Sequence, residues 1–280
     1  MPLVFATIAP HGGIAIAEAC PPERREQAAA TRQAMEELGR RFTAARPDVA
    51  IVLTPHNIHI EGAMAVVTAG WVAGALEGTP DVALRVPTDR VLAAAVADAI
   101  GAEEIPVARV SYGANDAAAA TFPMDWAVLV PLWFMGGRTD PPVAAVVVAP
   151  ARDLSYERHV AAGRAIARAA AASPRRVALI ASCDQGHGHD PQGPYGFTPK
   201  SREFDEAVVS IVKDDDLAGL LRLPPDLPVE AKADSYWQML MLHGALGDGW
   251  RGDFLSYEAP TYYGMLCAAY APADASPLPA

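Results

Sequence analysis

Residues 4–13 read Val-Phe-Ala-Thr-Ile-Ala-Pro-His-Gly-Gly. A short apolar run stopped by a proline is a buried strand, and the charged, alanine-rich stretch at residues 22–46 has the composition of an amphipathic helix. The same beat returns along the chain. Apolar runs at 49–54, 143–149 and 176–182 each end in a turn-forming or polar segment, and a helix is expected at 156–172. Strands that are apolar throughout need cover on both faces, because neither face can be left to water. The expected fold is therefore α/β, a single domain with a central mixed, largely parallel sheet flanked by helices.

Weaker strands are expected at 63–68 and 107–111, with a helix at 88–102 between them. Residues 201–213, 232–246 and 254–270 read as ordered elements. Pro224, Pro225 and Pro228 form a turn-rich connector, but no shift of composition marks a boundary there. One domain over residues 1–270 and a tail at 271–280 are the expectation.

Composition excludes several classes of function. The 280 residues carry 33 acidic and 22 basic side chains, a net charge of −11, so a bulk basic nucleic-acid binder is ruled out. A hydrophobic share of 51% is enough for a large core and excludes whole-chain disorder. The three cysteines, Cys20, Cys183 and Cys267, form no Cys-x-x-Cys pair, so neither a disulfide framework nor a thiolate zinc site is suggested. A reducing compartment fits that usage. The N-terminus lacks the basic region of a secretory signal, and the longest apolar-rich tract, 127–135, falls short of the roughly 20 residues of a membrane span. A cytoplasmic protein with no membrane or nucleic-acid partner is expected.

Chemistry gathers at the strand ends, where open α/β sheets collect their ligands. Three strands are followed by Pro10-His11-Gly12, by Thr54-Pro55-His56-Asn57 and by Ser182-Cys183-Asp184-Gln185-Gly186-His187, with His189 two residues on. Neutral imidazole is the commonest protein metal ligand, and without paired cysteines the expected centre is an open one of nitrogen and oxygen donors. A carboxylate would complete it. Glu258, set among apolar and aromatic neighbours in residues 257–265, is the candidate, because burying an isolated carboxylate is costly unless a cation compensates it. The ordinary alternative for Glu258 is an exposed carboxylate at a sheet edge. His59 is expected to face away from His56 if the strand runs past Pro55, and His159 and His243 fall inside expected helices as structural residues. Asp190 to Gly196 is dense in turn formers and reads either as a surface loop or as a rim around a substrate, with Tyr195 as a contact.

Together, Pro10-His11-Gly12, Thr54-Pro55-His56-Asn57, Ser182-x-Asp184-x-Gly186-His187 and the late Tyr257-Glu258 resemble the catalytic subunit of class III extradiol ring-cleavage dioxygenases, the protocatechuate 4,5-dioxygenase type. The resemblance runs over roughly residues 3 to 270. In that family two histidines and a glutamate hold a non-haem iron(II), and the matching motifs assign His11, His56 and Glu258 to it. The family's general base maps onto His187, with His189 in a secondary catalytic role. The resemblance implies an iron(II)-dependent enzyme that opens the ring of a catechol with O₂, forms a homo-oligomer and in some relatives needs a small accessory subunit. Asn57, Trp126 and Tyr195 are the expected substrate contacts. Trp126 stands where many relatives carry a histidine, and an indole cannot shuttle protons. Two other readings compete: a hydrolase with Cys183 as nucleophile, and a non-catalytic metal- or ligand-binding protein on the same scaffold.

Overall fold

The computed structural model describes residues 3–274. In chain order the strands are β1 (Leu3–Ala9), β2 (Val49–Leu53), β3 (Met64–Val67), β4 (Trp71–Leu76), β5 (Thr79–Pro87), β6 (Val107–Val110), β7 (Thr121–Pro123), β8 (Ala144–Ala149), β9 (Val177–Ser182), β10 (Trp250–Glu258) and β11 (Met265–Pro272). The helices are α1 (Ala29–Ala45), α2 (Arg90–Gly101), α3 (Trp126–Phe134), α4 (Tyr156–Ala172), α5 (Pro199–Lys213), α6 (Leu227–Glu230) and α7 (Tyr236–Leu246). Among the described residues none of them is long and apolar enough to cross a membrane.

Eight strands form one sheet in the order β10-β11-β1-β9-β2-β8-β3-β6. Its centre, β1-β9-β2-β8, is parallel, whereas β11 and β10 on one side and β3 beside β8 join antiparallel. The parallel strands are buried along almost their whole length, as their unbroken apolar sequences require. One face packs on α2, α4, α5 and α7 through Ile8, Ile51, Val148, Leu179, Ile166 and Leu240. The other face packs on α1, α3 and a separate three-stranded sheet, β5-β4-β7, through Phe5, Val52, Leu38, Leu129 and Val86. The expected α/β architecture is the one observed.

Some local features differ from the sequence reading or were not part of it. Residues 22–28 are 3-10 turns and the α-helix begins only at Ala29. The apolar tract at 127–135 is largely α3, which carries Pro131 inside it. The small sheet was not anticipated, although Val82, Leu84 and Val86 of β5 alternate with exposed neighbours at the period of two that marks a half-buried strand. The tail expected at 271–280 overlaps the end of β11, and its last six positions, 275–280, lie outside the described residues.

Candidate metal centre

Parallel β1, β9 and β2 are neighbours, so their C-terminal loops meet at one edge of the sheet. His11 follows β1 and is buried, with its amide donating to Asp184 Oδ1 at 3.0 Å. Its Nδ1 lies 3.0 Å from Ser182 Oγ, and the Ser182 hydroxyl donates to the Ala127 carbonyl at 2.6 Å. A hydroxyl whose proton is so engaged can only accept from the imidazole, so Nδ1 carries a proton and Nε2 is the nitrogen turned toward Asp234. Gly12 is required beside it, because a Cβ there would run into the Tyr263 ring, with Cε2 at 2.7 Å.

His56 follows β2, and its ring packs edge-on against His11 with centroids 5.2 Å apart. Asn57 turns the chain in a left-handed conformation, φ 68°, that asparagine tolerates, and its Nδ2 donates to the Pro123 carbonyl at 3.1 Å. The loop after β2 is thereby tied to the approach to α3. Asp125 caps α3 by accepting from the Ala127 and Val128 amides, which leaves Trp126 at the helix start with its half-exposed indole 4.6 Å from the His56 ring.

The third member is Asp234, just before α7. Its Oδ2 lies 3.3 Å from Nε2 of both His11 and His56, and the three groups form the one cluster among the described residues with metal-ligand spacing. Asp234 is buried, and its Oδ1 has no hydrogen-bond partner. Burial alone would lower the His11 pKa, but Asp184 and Asp234 outweigh it and raise it to about 9. For Asp234 burial works upward, yet the charge and hydrogen bonds of His11 and the hydrogen bond of His56 prevail and hold the carboxyl well below the usual range. A pocket that keeps a proton on a buried imidazole between two carboxylates is built for positive charge. A divalent cation bound there would take the place of that proton, with the two imidazole nitrogens, the anionic oxygen and the orphaned second oxygen as its donors.

Glu258 is not part of this cluster. It ends β10, two strands outward from β1, and its Oε1 accepts from the Thr31 amide in the first turn of α1 at 2.6 Å. There it serves a free N–H at a helix N-terminus that has no side-chain cap of its own. The structure thus does not bring Glu258 to His11 and His56; the carboxylate that joins them is Asp234, arriving on the α7 side of the sheet.

His187 and Tyr195 line a cleft of about 550 Å³ that opens onto His56 and Asp234. His187 Nδ1 bonds the Gln185 carbonyl at 2.8 Å, which makes Nδ1 the donor and leaves Nε2 free, 3.8 Å from Asp234 Oδ2. The ring lies near-parallel to Tyr263 at 5.5 Å and edge-on to Tyr195 at 5.7 Å. His189 points elsewhere: its Nε2 is 2.8 Å from Asp205 Oδ2, away from the cleft lining. His59 does line the cleft, because β2 stops at Leu53 and the strand alternation expected to turn it away does not extend that far. His159 is buried inside α4 and His243 lies in α7, as anticipated. Burial and the nearby Asp234 and Asp184 push the Cys183 thiol well up, and its Sγ faces the Ser235 carbonyl at 3.7 Å, so no thiolate is on offer for the hydrolase reading.

Sequence reasoning missed Asp234, Arg152 and Lys232. Asp234-Ser235 before an apolar helix reads as an ordinary N-cap, and nothing local distinguishes it. Arg152 follows β8 and lines the same cleft with its guanidinium 4.8 Å above the Trp237 ring, and Lys232 donates to the Tyr195 carbonyl at its rim. Arg152 follows a strand end as the histidines do, and that position was its available signal.

Comparisons with known proteins bear on the family and the fold. A family model described as the catalytic LigB subunit of aromatic ring-opening dioxygenase matches residues 5–267. Protein CA_C1420 of Clostridium acetobutylicum is 22% identical over 253 residues, which are 89% of this chain and 53% of that protein. The chain therefore spans about half the length of that curated relative. An uncharacterized protein from Escherichia coli K12, JW3007, has a crystal structure alike in fold, with a TM-score of 0.60 at 18% identity over 95% of this chain and 99% of the other.

Proposed function

The chain belongs to the family of the catalytic LigB subunit of aromatic ring-opening dioxygenases, and from that premise we propose that it is a non-haem iron(II) extradiol dioxygenase acting on a catechol. The observation that carries the reading is the convergence of His11, His56 and Asp234 within ligating distance of one another, beside a cleft with a free imidazole nitrogen. His11 and His56 through Nε2 and Asp234 through a carboxylate oxygen would hold the iron. When bound, the metal supplies Lewis acidity and an electronic path between a diol and O₂.

The remaining work belongs to the side chains. His187 takes a phenolic proton at Nε2, the nitrogen left free by the Nδ1 bond to Gln185, and can return it to an oxygen of the opening ring. Ser182 holds the His11 tautomer that presents Nε2, and Asp184 fixes the His11 backbone. Tyr195 lines the cleft and the half-exposed Trp126 lies 4.6 Å from the His56 ring, two aromatic faces against which a planar ring can pack, while Tyr262 and Tyr263 pack against the His187 imidazole.

The test is oxygen uptake and absorbance of the ring-opened product with a panel of catechols, using anaerobically iron-loaded protein. Turnover in the wild type that falls about 10²- to 10⁴-fold in His187→Gln, with iron content unchanged, supports the reading. Protein that retains one iron per chain and leaves every catechol intact would instead be a binding protein on the same scaffold.

A further inference from the structure

His187 sits between two glycines, and the amides of both are taken by one face of α5. The Gly186 amide donates to Asp205 Oδ1 at 2.7 Å and the Gly188 amide to Ser201 Oγ at 2.8 Å. Ser201 and Asp205 are four residues apart, so they project from the same side of the helix. Both are buried. Glycine is needed on each side of the histidine, since a Cβ at Gly186 would lie 2.7 Å from Ser201 Cβ and one at Gly188 would lie 2.5 Å from Thr198 Cγ2.

The same two side chains reach further. Ser201 donates its hydroxyl to the Ala231 carbonyl at 2.8 Å, and the His187 amide donates to that same carbonyl at 3.1 Å. Ala231 stands three residues before Asp234. Asp205 Oδ2 accepts from Tyr257 Oη at 2.6 Å and from His189 Nε2 at 2.8 Å, which ties the far end of the loop and the end of β10 to α5. A buried carboxylate with three donors and a hydroxyl shared by two loops form a fully satisfied network, the kind that holds a single arrangement because any other leaves polar groups unpaired.

We infer that Ser201 and Asp205 are positioning residues: one face of α5 sets where the His187 imidazole stands relative to Asp234, and His189 belongs to this clamp rather than to proton transfer. The inference rests on the reading of His187 as the base. A displacement of that ring by about 1 Å is enough to cost on the order of 10²-fold in rate while leaving the metal ligands untouched.

The experiment is a double-mutant cycle on the iron-loaded chain with a turned-over catechol, combining Ser201→Ala or the isosteric Asp205→Asn with His187→Gln. Each single clamp variant is expected to lower kcat by about 10-fold or more, with KM and iron affinity within about 3-fold. In the His187→Gln background the further loss is expected to fall below about 2-fold, since a residue that acts through His187 has nothing left to position. A second readout needs no turnover: imidazole ¹⁵N shifts of the full chain should show the His187 tautomer protonated at Nδ1 in the wild type and mixed in Ser201→Ala. Additive losses together with an unchanged His187 imidazole signal would overturn the inference. If His187→Gln opens rings as fast as the wild type, the base reading fails, and the imidazole signal alone then decides whether the clamp exists. Asp205→Asn, which keeps the shape of the buried group, serves where Ser201→Ala does not fold.

Discussion

Replacing Asp234 by asparagine removes the negative charge of the ligand cluster and leaves its shape in place. Asp234 Oδ2 stands 3.3 Å from His11 Nε2 and 3.3 Å from His56 Nε2. At an effective dielectric of about 20, opposite unit charges at that separation attract by about 5 kcal/mol. Asp184 Oδ2, 3.5 Å from the same His11 nitrogen, stays in place and continues to favour a cation. Asp184 supplies a separate attraction of similar size, so what is lost is the Asp234 contribution, about 5 kcal/mol at most, which is on the order of 10³-fold in affinity for a metal ion. Glu258→Gln is the matched control. Its carboxylate serves the Thr31 amide, so iron affinity should stay within about 2-fold while the protein loses on the order of 0.5–1 kcal/mol from the start of α1. Anaerobic competition with a chromophoric chelator reads the affinities, and circular dichroism melts read the stability. Metal lost from Glu258→Gln and retained by Asp234→Asn would refute the proposed ligand set.

Three further outcomes follow from named contacts. Ser182→Ala frees the His11 ring to adopt the other tautomer and should weaken iron binding about 10- to 100-fold in the same competition assay; unchanged affinity would contradict the hydrogen-bond chain through Ala127. Gly163→Ala drives a methyl group into the Met241 carbonyl where α4 crosses α7, which should cost about 3 kcal/mol in denaturant unfolding and, since α7 begins beside Asp234, weaken metal binding as well. His159 is buried with Nδ1 bonded to the Ser155 carbonyl and Nε2 without a partner, and burial lowers its pKa despite that bond. The unfolded chain then takes up the proton first, so stability falls with decreasing pH below about 6.5, by up to about 1.4 kcal/mol per unit, until the folded pKa is reached. His159→Leu should flatten that part of a urea-unfolding series between pH 7 and 5, and an unchanged slope would show that other groups produce it.

How much of the site was legible follows from how local each signal is. His11, His56 and His187 each follow a buried strand directly, and consecutive parallel strands end at one edge, so a one-dimensional pattern of apolar run, turn and histidine carries spatial information. The two glycines around His187 were visible too, but the α5 face that makes them necessary was not, because its residues lie 13 and 19 positions away from the amides they hold.

By itself the sequence determined the layered α/β sheet and the strand ends that bear imidazoles, since burial on both faces and proline-stopped strands are properties of short segments. Which carboxylate joins them was decided by tertiary structure alone. Glu258 and Asp234 are both late acidic residues with apolar neighbours, and composition cannot separate them. The order β10-β11-β1-β9-β2 carries Glu258 to the start of α1, while the packing of α7 on α4 brings Asp234 over the edge where β1 and β2 end. A ligand's identity depends on distances of a few ångströms between segments far apart in the chain, and those distances exist only once the helices have packed.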